Sequence, residues 1–386
     1  VIAINNENFS LNYFLTKYNI NFVFQDNLLI YYSNKSFSIK ITNENVEINH
    51  KYSNFSIKCL KYYWDLKRLT SDDKNLDDSN VKFYYLNSVD NILNDIINEY
   101  DKLSLEENDP LYLFKSKIQE NLKNEQIELD EKIKNFISFV YEILNILDFN
   151  VPVYFPAERL FFSMISNHIY GLLASNTSLP KFFIEFGNLF EQSRNRKNAF
   201  SIPFMNMQYQ YENNTSKIIN PDGSEISIEQ SSTGVQAVLP LCVILENFQS
   251  KQKDLRYFLM IEEPELNLFP STQKNLMEYV ISITNQINSK LLICTHSPYI
   301  LTSIDNLIQA GNVFKNNPAF AEKLEELIPR LSWLDYERVQ CYYFENGTCF
   351  STKNDELQSI GASHIDDISI RLSEIFDQLM DWKYEK

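Results

Sequence analysis

Two adjacent carboxylates and one histidine are the residues of this chain whose types and spacing best suit chemistry. Glu262 and Glu263 follow the apolar run YFLMI and precede Pro264, and His296 follows a second apolar run, LLIC. Two acidic side chains at the end of a strand suit a magnesium–nucleotide site, in which one carboxylate holds the metal and the next orients water toward a γ-phosphate. The pattern therefore predicts nucleotide hydrolysis.

The elements around these residues predict how they are positioned. Short continuous apolar runs are typical of buried strands in a parallel sheet. The segment between the two runs predicts a helix, with Ser271 as its N-cap and apolar residues on one face: Leu276, Met277, Val280, Ile281 and Ile283. Ligands bind beyond the carboxyl ends of parallel strands, so we expect the two carboxylates and His296 on one rim of the sheet.

A turn of small polar residues precedes a second predicted helix. The segment Ser231–Gln236 leads into the apolar sequence AVLPLCVILENF, which predicts a buried helix. Taken alone, such a turn is more often an ordinary capped helix start. Its position shortly before the carboxylates favours a second interpretation, in which its backbone amides and hydroxyl groups bind an anion.

The remaining patterns predict an α/β fold. Alternating residues in 20–48 and 204–229 predict antiparallel meanders, and 338–351 predicts a hairpin turning at Asn346–Gly347. Residues 365–382 predict an amphipathic helix. Apolar positions near helical spacing in 90–148 predict helices, and whether these form a protruding arm or a layer packed on a sheet stays open.

These patterns predict three parts along the chain. Residues 1–89 form an N-terminal α/β lobe, 90–150 a helical insertion or arm, and 151–386 a C-terminal lobe that carries the candidate chemistry. The expected fold combines a mainly parallel sheet with antiparallel meanders and the helical insertion.

Composition narrows the function classes. The 386 residues carry a net charge of −16, which argues against a surface that binds nucleic acid broadly, although local contact with nucleic acid stays open. No apolar run approaches the roughly 20 residues that span a bilayer, and no signal peptide is apparent, so we expect a cytoplasmic protein without a membrane partner. The five cysteines lack CxxC spacing, which predicts small buried residues and neither a disulfide nor a zinc site.

The 386 residues contain no P-loop sequence for binding phosphates. None of the seven glycines belongs to a GxxxxGK[ST] loop, whose backbone amides cradle phosphates. The sequence begins with Val1 rather than Met. Two explanations follow: a strand and P-loop precede Val1, which the intact carboxylates, histidine and polar turn favour, or the protein is a degenerate ATPase kept as a scaffold.

Together these motifs resemble the ABC-type ATPase heads of the SMC and OLD-like group, which includes AAA ATPases of bacterial anti-phage defence systems. In order along the chain, the resemblance places the signature on Ser232–Gln236, Walker B on Phe258–Glu263, the D-loop on Glu265–Leu268 and the switch on His296. The segment YFPAER, residues 154–159, also resembles a recurring segment of these heads. Three positions depart from the usual pattern: Glu262 replaces Asp, Thr233 replaces Ser, and Phe269 stands where His is common.

The resemblance implies ATP and Mg²⁺ as ligands. It makes Glu262 the metal-side carboxylate, Glu263 the group that polarises water, and His296 a γ-phosphate sensor. It also implies further nucleotide contacts, which are Ser232, Thr233, Gly234, Gln236, Glu265 and Asn267.

The resemblance also implies partners. A signature closes over nucleotide held by another subunit, which implies a homodimer or higher homo-oligomer. The residues after His296 offer no evident room for a nuclease domain, so the first hypothesis is a defence ATPase with a separate nuclease or toxin effector. The alternatives are a DNA repair or chromosome-handling head and a non-catalytic scaffold.

Overall fold

The computed structural model describes residues 29–33, 37–42, 46–50, 150–165, 179–250, 256–345, 348–361 and 363–384, with the single positions Asn98, Ser138 and Glu142. The chain divides into two compact units, one of residues 1–151 and 254–256, the other of residues 152–253 and 257–386. The fold class is α/β, as predicted, with parallel strands, antiparallel strands and helices.

In the first unit the described strands form one antiparallel sheet. Its order is β1 (Leu29–Ser33), β2 (Phe37–Thr42) and β3 (Val46–His50). This confirms the antiparallel meander for these strands. The predicted helical segment 90–148 lies outside the described residues except for three positions, Asn98, Ser138 and Glu142, which are helical.

The second unit begins within a short strand that leads into helices. Strand β4 (Val151–Phe155) is followed by a 3-10 helix, Ala157–Arg159, and then by α1 (Leu160–Ile165) and α2 (Lys181–Arg196). Aromatic rings join these elements, because Phe162 of α1 lies 4.5 Å from Phe183 and 5.1 Å from Phe186 between ring centroids. Such contacts fix α1 against α2 beside the end of β4.

An antiparallel meander follows, as predicted. Its strands, in spatial and chain order, are β5 (Ala199–Ile202), β6 (Met207–Glu212), β7 (Thr215–Ile219) and β8 (Glu225–Ser227). The last turn is formed as its sequence indicates: Gly223 has a positive φ of 82°, and the Ser224 amide donates to Asp222 Oδ1 at 2.9 Å. The meander delivers the chain to the polar turn before the next helix.

That helix, α3 (Thr233–Ser250), is the centre of the core. Residues from Gly234 to Leu245 are all buried, which is the pattern of a helix surrounded on every side. It contacts α1, α2 and the following α4. The predicted buried helix is confirmed, and its first turn is the Ser-Thr-Gly segment.

The predicted strand, helix and strand crossover is also present. Strand β9 (Tyr257–Glu262) pairs in parallel with β10 (Lys290–Cys294), with α4 (Pro270–Gln286) between them in sequence. β9 also neighbours β4, giving the sheet order β10-β9-β4. The predicted N-cap is wrong: α4 begins at Pro270 with Phe269 as its N-cap, so Ser271 lies inside the first turn. Proline at the first helical position sets the start instead, because its φ is already helical.

The C-terminal part completes the second unit. It contains α5 (Pro298–Asn316), α6 (Ala321–Leu327), the hairpin of β11 (Tyr342–Glu345) and β12 (Thr348–Ser351), the small pair β13 (Lys353–Asn354) and β14 (Ser359–Ile360), and α7 (Ser363–Tyr384). The hairpin and the final helix confirm the predictions, although the tip Asn346–Gly347 lies outside the described residues. Ile308, Tyr336 and Ile360 form a small core of their own.

The cysteines are less buried than predicted. Cys242 in α3 is fully buried, but Cys294 and Cys349 are exposed and Cys341 is half-buried. The prediction of buried cysteines is wrong for these three: Cys294 and Cys349 lie in strands with exposed positions, and Cys341 lies just before β11. Cys59 lies outside the described residues. Within the described part of the chain, no helix has the length and apolar character needed to cross a membrane.

Candidate functional site

The parallel pair β9 and β10 brings the predicted catalytic residues together. Cys294 at the end of β10 lies opposite Glu262 at the end of β9, and the Glu263 amide donates to the Cys294 carbonyl at 2.8 Å. Beyond this contact, His296 Nε2 lies 4.0 Å from Glu263 Oε1. The His296 side chain is 90% exposed and that of Glu263 39%, so both can reach a ligand at this rim.

The backbone of Glu263 is strained. Its φ of +39° lies in the left-handed region, which a residue with a β-carbon rarely adopts. Such a conformation costs about 1–3 kcal/mol and persists only where the surroundings fix it. Here the Glu263 amide is held by Cys294, and the Glu263 carbonyl accepts from the Leu266 amide at 3.1 Å and from Arg159 Nη2 at 2.8 Å.

Arg159 contacts the backbone of both carboxylate residues, and the sequence did not single it out as a site residue. Its side chain is completely buried in the short helix after β4. Nη1 donates to the Glu262 carbonyl at 2.8 Å and to the Pro156 carbonyl at 3.2 Å, while Nη2 donates to Glu263. Burial lowers the pKa of Arg159 to about 10, and the nearby Glu265 carboxylate is the strongest of the charges that oppose this shift. The guanidinium therefore stays charged near neutral pH.

Glu265 holds the turn that carries His296. Its Oε1 atom accepts from Thr295 Oγ1 at 2.6 Å and from the His296 amide at 2.9 Å. Its Oε2 atom is buried and has no hydrogen-bond partner among the described residues. The sequence analysis predicts Glu265 as a nucleotide contact; the structure places one of its oxygens in contact with the histidine turn.

Glu262 lies in a mixed environment of a phenol and a thiol. Burial, followed by hydrogen bonding to the Glu262 carboxylate and by its charge, raises the pKa of Tyr154 above its usual range. Burial and the same carboxylate raise the pKa of Cys294. Both neighbours therefore stay neutral near pH 7.

The polar turn before α3 has an exposed side and a buried side. Ser232 and Thr233 are exposed, and Ser232 Oγ accepts from the Val235 amide at 3.4 Å. Gln236, in contrast, is buried, and its Nε2 donates to the carbonyls of Glu229 and Ser231, each at 3.0 Å. The hydroxyl groups are therefore open to a ligand, while the Gln236 amide supports the turn from within.

A close backbone approach joins this turn to the segment after the carboxylates. A β-carbon on Gly234 would lie 2.8 Å from the Asn267 carbonyl oxygen and 3.2 Å from Leu268 Cδ2. Asn267 is itself exposed, with a positive φ of 62°. The structure thus brings Gly234 and Asn267, predicted from different motifs, into direct contact.

A second polar chain links that segment to the histidine turn. Gln273 Nε2 donates to the Leu268 carbonyl at 3.0 Å, and Ser297 Oγ donates to Gln273 Oε1 at 2.6 Å. Ser297 also caps α5 by accepting from the amides of Tyr299 and Ile300. The segment with Asn267 and the turn with His296 are therefore fixed to one another twice, through Glu265 and through Gln273.

The donor set fits magnesium bound together with phosphates. In the described part of the chain no group of three or more His, Cys, Asp or Glu side chains could hold a metal alone. Mg²⁺ usually keeps several waters and binds one or two carboxylates together with substrate phosphates. Glu262 and Glu263 offer carboxylates of this kind at one strand end.

Comparison with known proteins gives a family. No curated protein matches the chain. Among solved structures, the chain is similar to the Smc head domain of Pyrococcus furiosus, solved with an extended coiled coil and bound to the C-terminal domain of ScpA. The identity is 14% and the TM-score 0.20, over 66% of this chain and 50% of that one, so this chain spans half the length of that protein. The AAA ATPase domain family matches residues 2–301, most of the sequence. The chain therefore belongs to the AAA ATPase domain family.

Proposed function

We propose that this protein binds and hydrolyses ATP at the rim formed by β9 and β10. The observation that carries the proposal is the placement of Glu263 and His296, whose Oε1 and Nε2 atoms lie 4.0 Å apart, both accessible, at the carboxyl ends of two parallel strands. Ligands of such sheets bind at this end. Membership of the AAA ATPase domain family supports ATP as the ligand.

We assign each residue at the rim a role that follows from its position. Glu263 orients the attacking water and takes up its proton while the bond between the γ-phosphorus and the bridging oxygen breaks. His296 donates a hydrogen bond to the γ-phosphate. Glu262, one residue earlier and at the end of β9, faces the metal side, where Mg²⁺ would neutralise charge on the β- and γ-phosphates.

The exposed turn before α3 supplies a second half-site. Ser232, Thr233 and Gly234 stand at the start of a long buried helix, where free amides and hydroxyls favour an anion. Asn267 lies against Gly234, so the two form one surface. We propose that this surface closes over nucleotide bound to a second copy of the chain, which makes the protein an ATP-dependent homodimer or higher homo-oligomer.

Two of the predicted nucleotide contacts take supporting roles under this proposal. Gln236 and Glu265 support the two turns from behind and do not themselves need to touch the phosphate. The cradle for the β- and γ-phosphates is a separate requirement, because GxxxxGK[ST] does not occur in the 386 residues.

For the biological role we propose a cytoplasmic defence ATPase that acts with a separate nuclease or toxin effector. This proposal is supported by the motifs from Ser232 to His296, whose order resembles that in the ATPase heads of defence systems. Copurification of an effector that depends on ATP tests this role. Hydrolysis stimulated by DNA and weakened by salt would instead favour a DNA-handling head.

The test of the ATPase proposal is Glu263→Gln in the full-length protein. We expect ATP binding to stay within about threefold of the wild type and turnover to fall by about 10²–10⁴-fold, because a neutral amide cannot accept the proton. Phosphate release and binding of a fluorescent ATP analogue measure the two quantities. The matched control is Glu225→Gln, which removes a carboxylate paired with Lys217 on an exposed strand of the meander.

Two results would contradict the proposal. A Glu263→Gln protein that turns over ATP at the wild-type rate removes Glu263 from the reaction. A wild-type protein that neither binds nor hydrolyses ATP removes the reaction itself and leaves the scaffold alternative.

A further inference from the structure

We propose that Arg159, which is buried, and Glu265, which is half-buried, are a pair of positioning residues that together fix the relative placement of Glu263 and His296. This inference rests on the proposed ATPase function for its kinetic consequence, but its structural consequence can be measured without turnover. Neither side chain needs to touch the nucleotide. Each acts on the backbone of a residue that does.

The first half of the argument is the strain at Glu263. A positive φ at a glutamate is unfavourable, and the residues around it must hold the conformation. The Arg159 guanidinium donates to the carbonyls of both Glu262 and Glu263 at 2.8 Å. Charge-assisted hydrogen bonds of this kind are roughly twice as strong as neutral ones. Arg159 is therefore placed to hold the bend that presents the Glu263 carboxylate.

The second half is the histidine turn. Glu265 accepts from the hydroxyl of Thr295 and from the amide of His296, so its carboxylate sets where the turn after β10 begins. Glu265 also lies in the turn that starts at Glu263, because the amides of Leu266 and Leu268 donate to the carbonyls of Glu263 and Glu265. One short segment thus contains both the strained residue and the anchor of the histidine.

Electrostatics joins the two halves. Arg159 is completely buried, and an isolated buried charge is costly unless an opposite charge lies nearby. Arg159 Nε and Glu265 Oε2 are both buried without a hydrogen-bond partner among the described residues. The Glu265 carboxylate is also the strongest of the charges that favour the guanidinium. Removing the Glu265 charge, or replacing the Arg159 guanidinium by a group with fewer donors whose charge lies elsewhere, should therefore disturb the residue that the other one holds.

A second buried arginine provides a matched comparison. Arg194 in α2 is 5% exposed and donates from Nε to Glu191 Oε2 at 3.0 Å, and its guanidinium lies 4.6 Å from the ring centre of Tyr211. It is nearly as buried as Arg159, but it is hydrogen-bonded directly to a carboxylate. Among the described residues, none of its hydrogen bonds reaches the ends of β9 or β10, so its loss should affect stability without affecting the rim.

The experiment is amide hydrogen exchange on the full-length protein, read at Glu263 and at His296. The variants are Arg159→Lys, Glu265→Gln, which keeps an acceptor oxygen but removes the charge, and the control Arg194→Lys. We expect Arg159→Lys to speed exchange at the His296 amide, and Glu265→Gln to speed exchange at the Glu263 amide, each by about tenfold. These are cross-effects, because neither variant removes a direct partner of the amide that is read.

Kinetics supplies the second readout. In both variants we expect kcat to fall by about 10²-fold while the ATP affinity stays within about threefold, because misplacement of about 1 Å is enough for such a loss. Arg194→Lys should leave both unchanged. Where Arg159→Lys does not fold, Glu265→Gln read at Glu263 decides the question alone.

The outcomes separate the two proposals. Unchanged exchange at Glu263 in Glu265→Gln, or cross-effects equally large in Arg194→Lys, overturns the positioning pair whatever the turnover. If the variants show the cross-effects but the wild-type protein does not hydrolyse ATP, the positioning pair is supported and the ATPase proposal is overturned.

Discussion

The turn after β9 and the turn before α3 lie side by side, yet they are held in opposite ways. The first contains two residues with positive φ, Glu263 and Asn267, and is fixed by the charged groups of Arg159 and Glu265. The second has an ordinary backbone, with Ser231 at a φ of −74°, and is fixed by the neutral amide of Gln236. Contact between Gly234 and Asn267 joins them.

The difference matches what each turn has to present under the proposed function. A turn that offers backbone amides and hydroxyl groups needs only a capped helix start, which a relaxed backbone supplies. A turn that must aim a carboxylate at a histidine on another strand needs a bend that the chain would not adopt alone. For a turn of this second kind we expect a strained backbone that buried charged groups hold in place.

The largest expected effect comes from a variant that prevents the turn before α3 from closing on a second copy of the chain. Thr233→Arg places a long cation where the surface is to close on a second copy, so ATP-dependent association should be lost while each subunit still binds ATP. Light scattering with and without ATP measures association, and Glu263→Gln is the background that prevents turnover. We expect a loss of at least about 10²-fold in association, the scale of a centrally placed interface residue.

Thr233→Ser is the control, because it keeps the hydroxyl and should associate as the wild type does. If Thr233→Arg still dimerises on ATP, the turn before α3 does not face the partner, and the comparison reduces to one functional turn.

The next effect compares the charged support with the neutral one. Glu265→Ala leaves the Thr295 hydroxyl and the His296 amide without their acceptor and removes the opposite charge near Arg159. Gln236→Ala leaves the Glu229 and Ser231 carbonyls without their donor. We expect a loss in free energy of unfolding of about 3 kcal/mol for the first and about 1–2 kcal/mol for the second.

Denaturant unfolding of both variants checks the order. A loss at Gln236 equal to or larger than that at Glu265 would show that charge is not what holds the turn after β9.

A smaller effect concerns the contact between the two turns. In Gly234→Ala the new methyl group would meet the Asn267 carbonyl at 2.8 Å, a backbone atom that cannot rotate away. We expect a destabilisation of about 1–2 kcal/mol and faster exchange at Leu268, because the Asn267 segment must shift. Gly223→Ala is the contrasting control: nothing lies within 4 Å of the added carbon, and its cost comes from the positive φ alone. Equal exchange at Leu268 in both variants would argue against a rigid junction.

For the strands and helices that carry the candidate site, the sequence was sufficient to predict the elements and their order. Continuous apolar runs at Tyr257–Ile261 and Leu291–Cys294 predicted parallel strands, and the register that places Cys294 opposite Glu262 confirms it. The all-round apolar sequence after Thr233 predicted the buried helix α3. These features depend on local pattern and burial, which the order of residues records directly.

The supports of the site were not predictable in the same way. Arg159 is separated from Glu262 by more than a hundred residues, and in sequence a buried arginine looks like any surface arginine. Glu263 has a left-handed backbone but is not a glycine, so its residue type gives no sign of that conformation. Ser271 has the residue type of an N-cap, but the helix begins at Pro270 with Phe269 as its N-cap, two positions earlier. The roles assigned to the site residues themselves stay predictions until the variants are made.

The smallest effect is the sharpest test of the comparison, because it predicts opposite signs in the two turns. At Glu263 glycine adopts positive φ without strain, so Glu263→Gly should be more stable than Glu263→Ala by about 1 kcal/mol. At Ser231, with negative φ, Ser231→Ala should be more stable than Ser231→Gly by about 0.5–1 kcal/mol, since alanine loses less backbone entropy on folding. Each pair removes the same side-chain contacts, so the difference within a pair reports the backbone alone. Denaturant unfolding of the four variants measures it, and the same sign at both positions would mean that the turn after β9 is not strained.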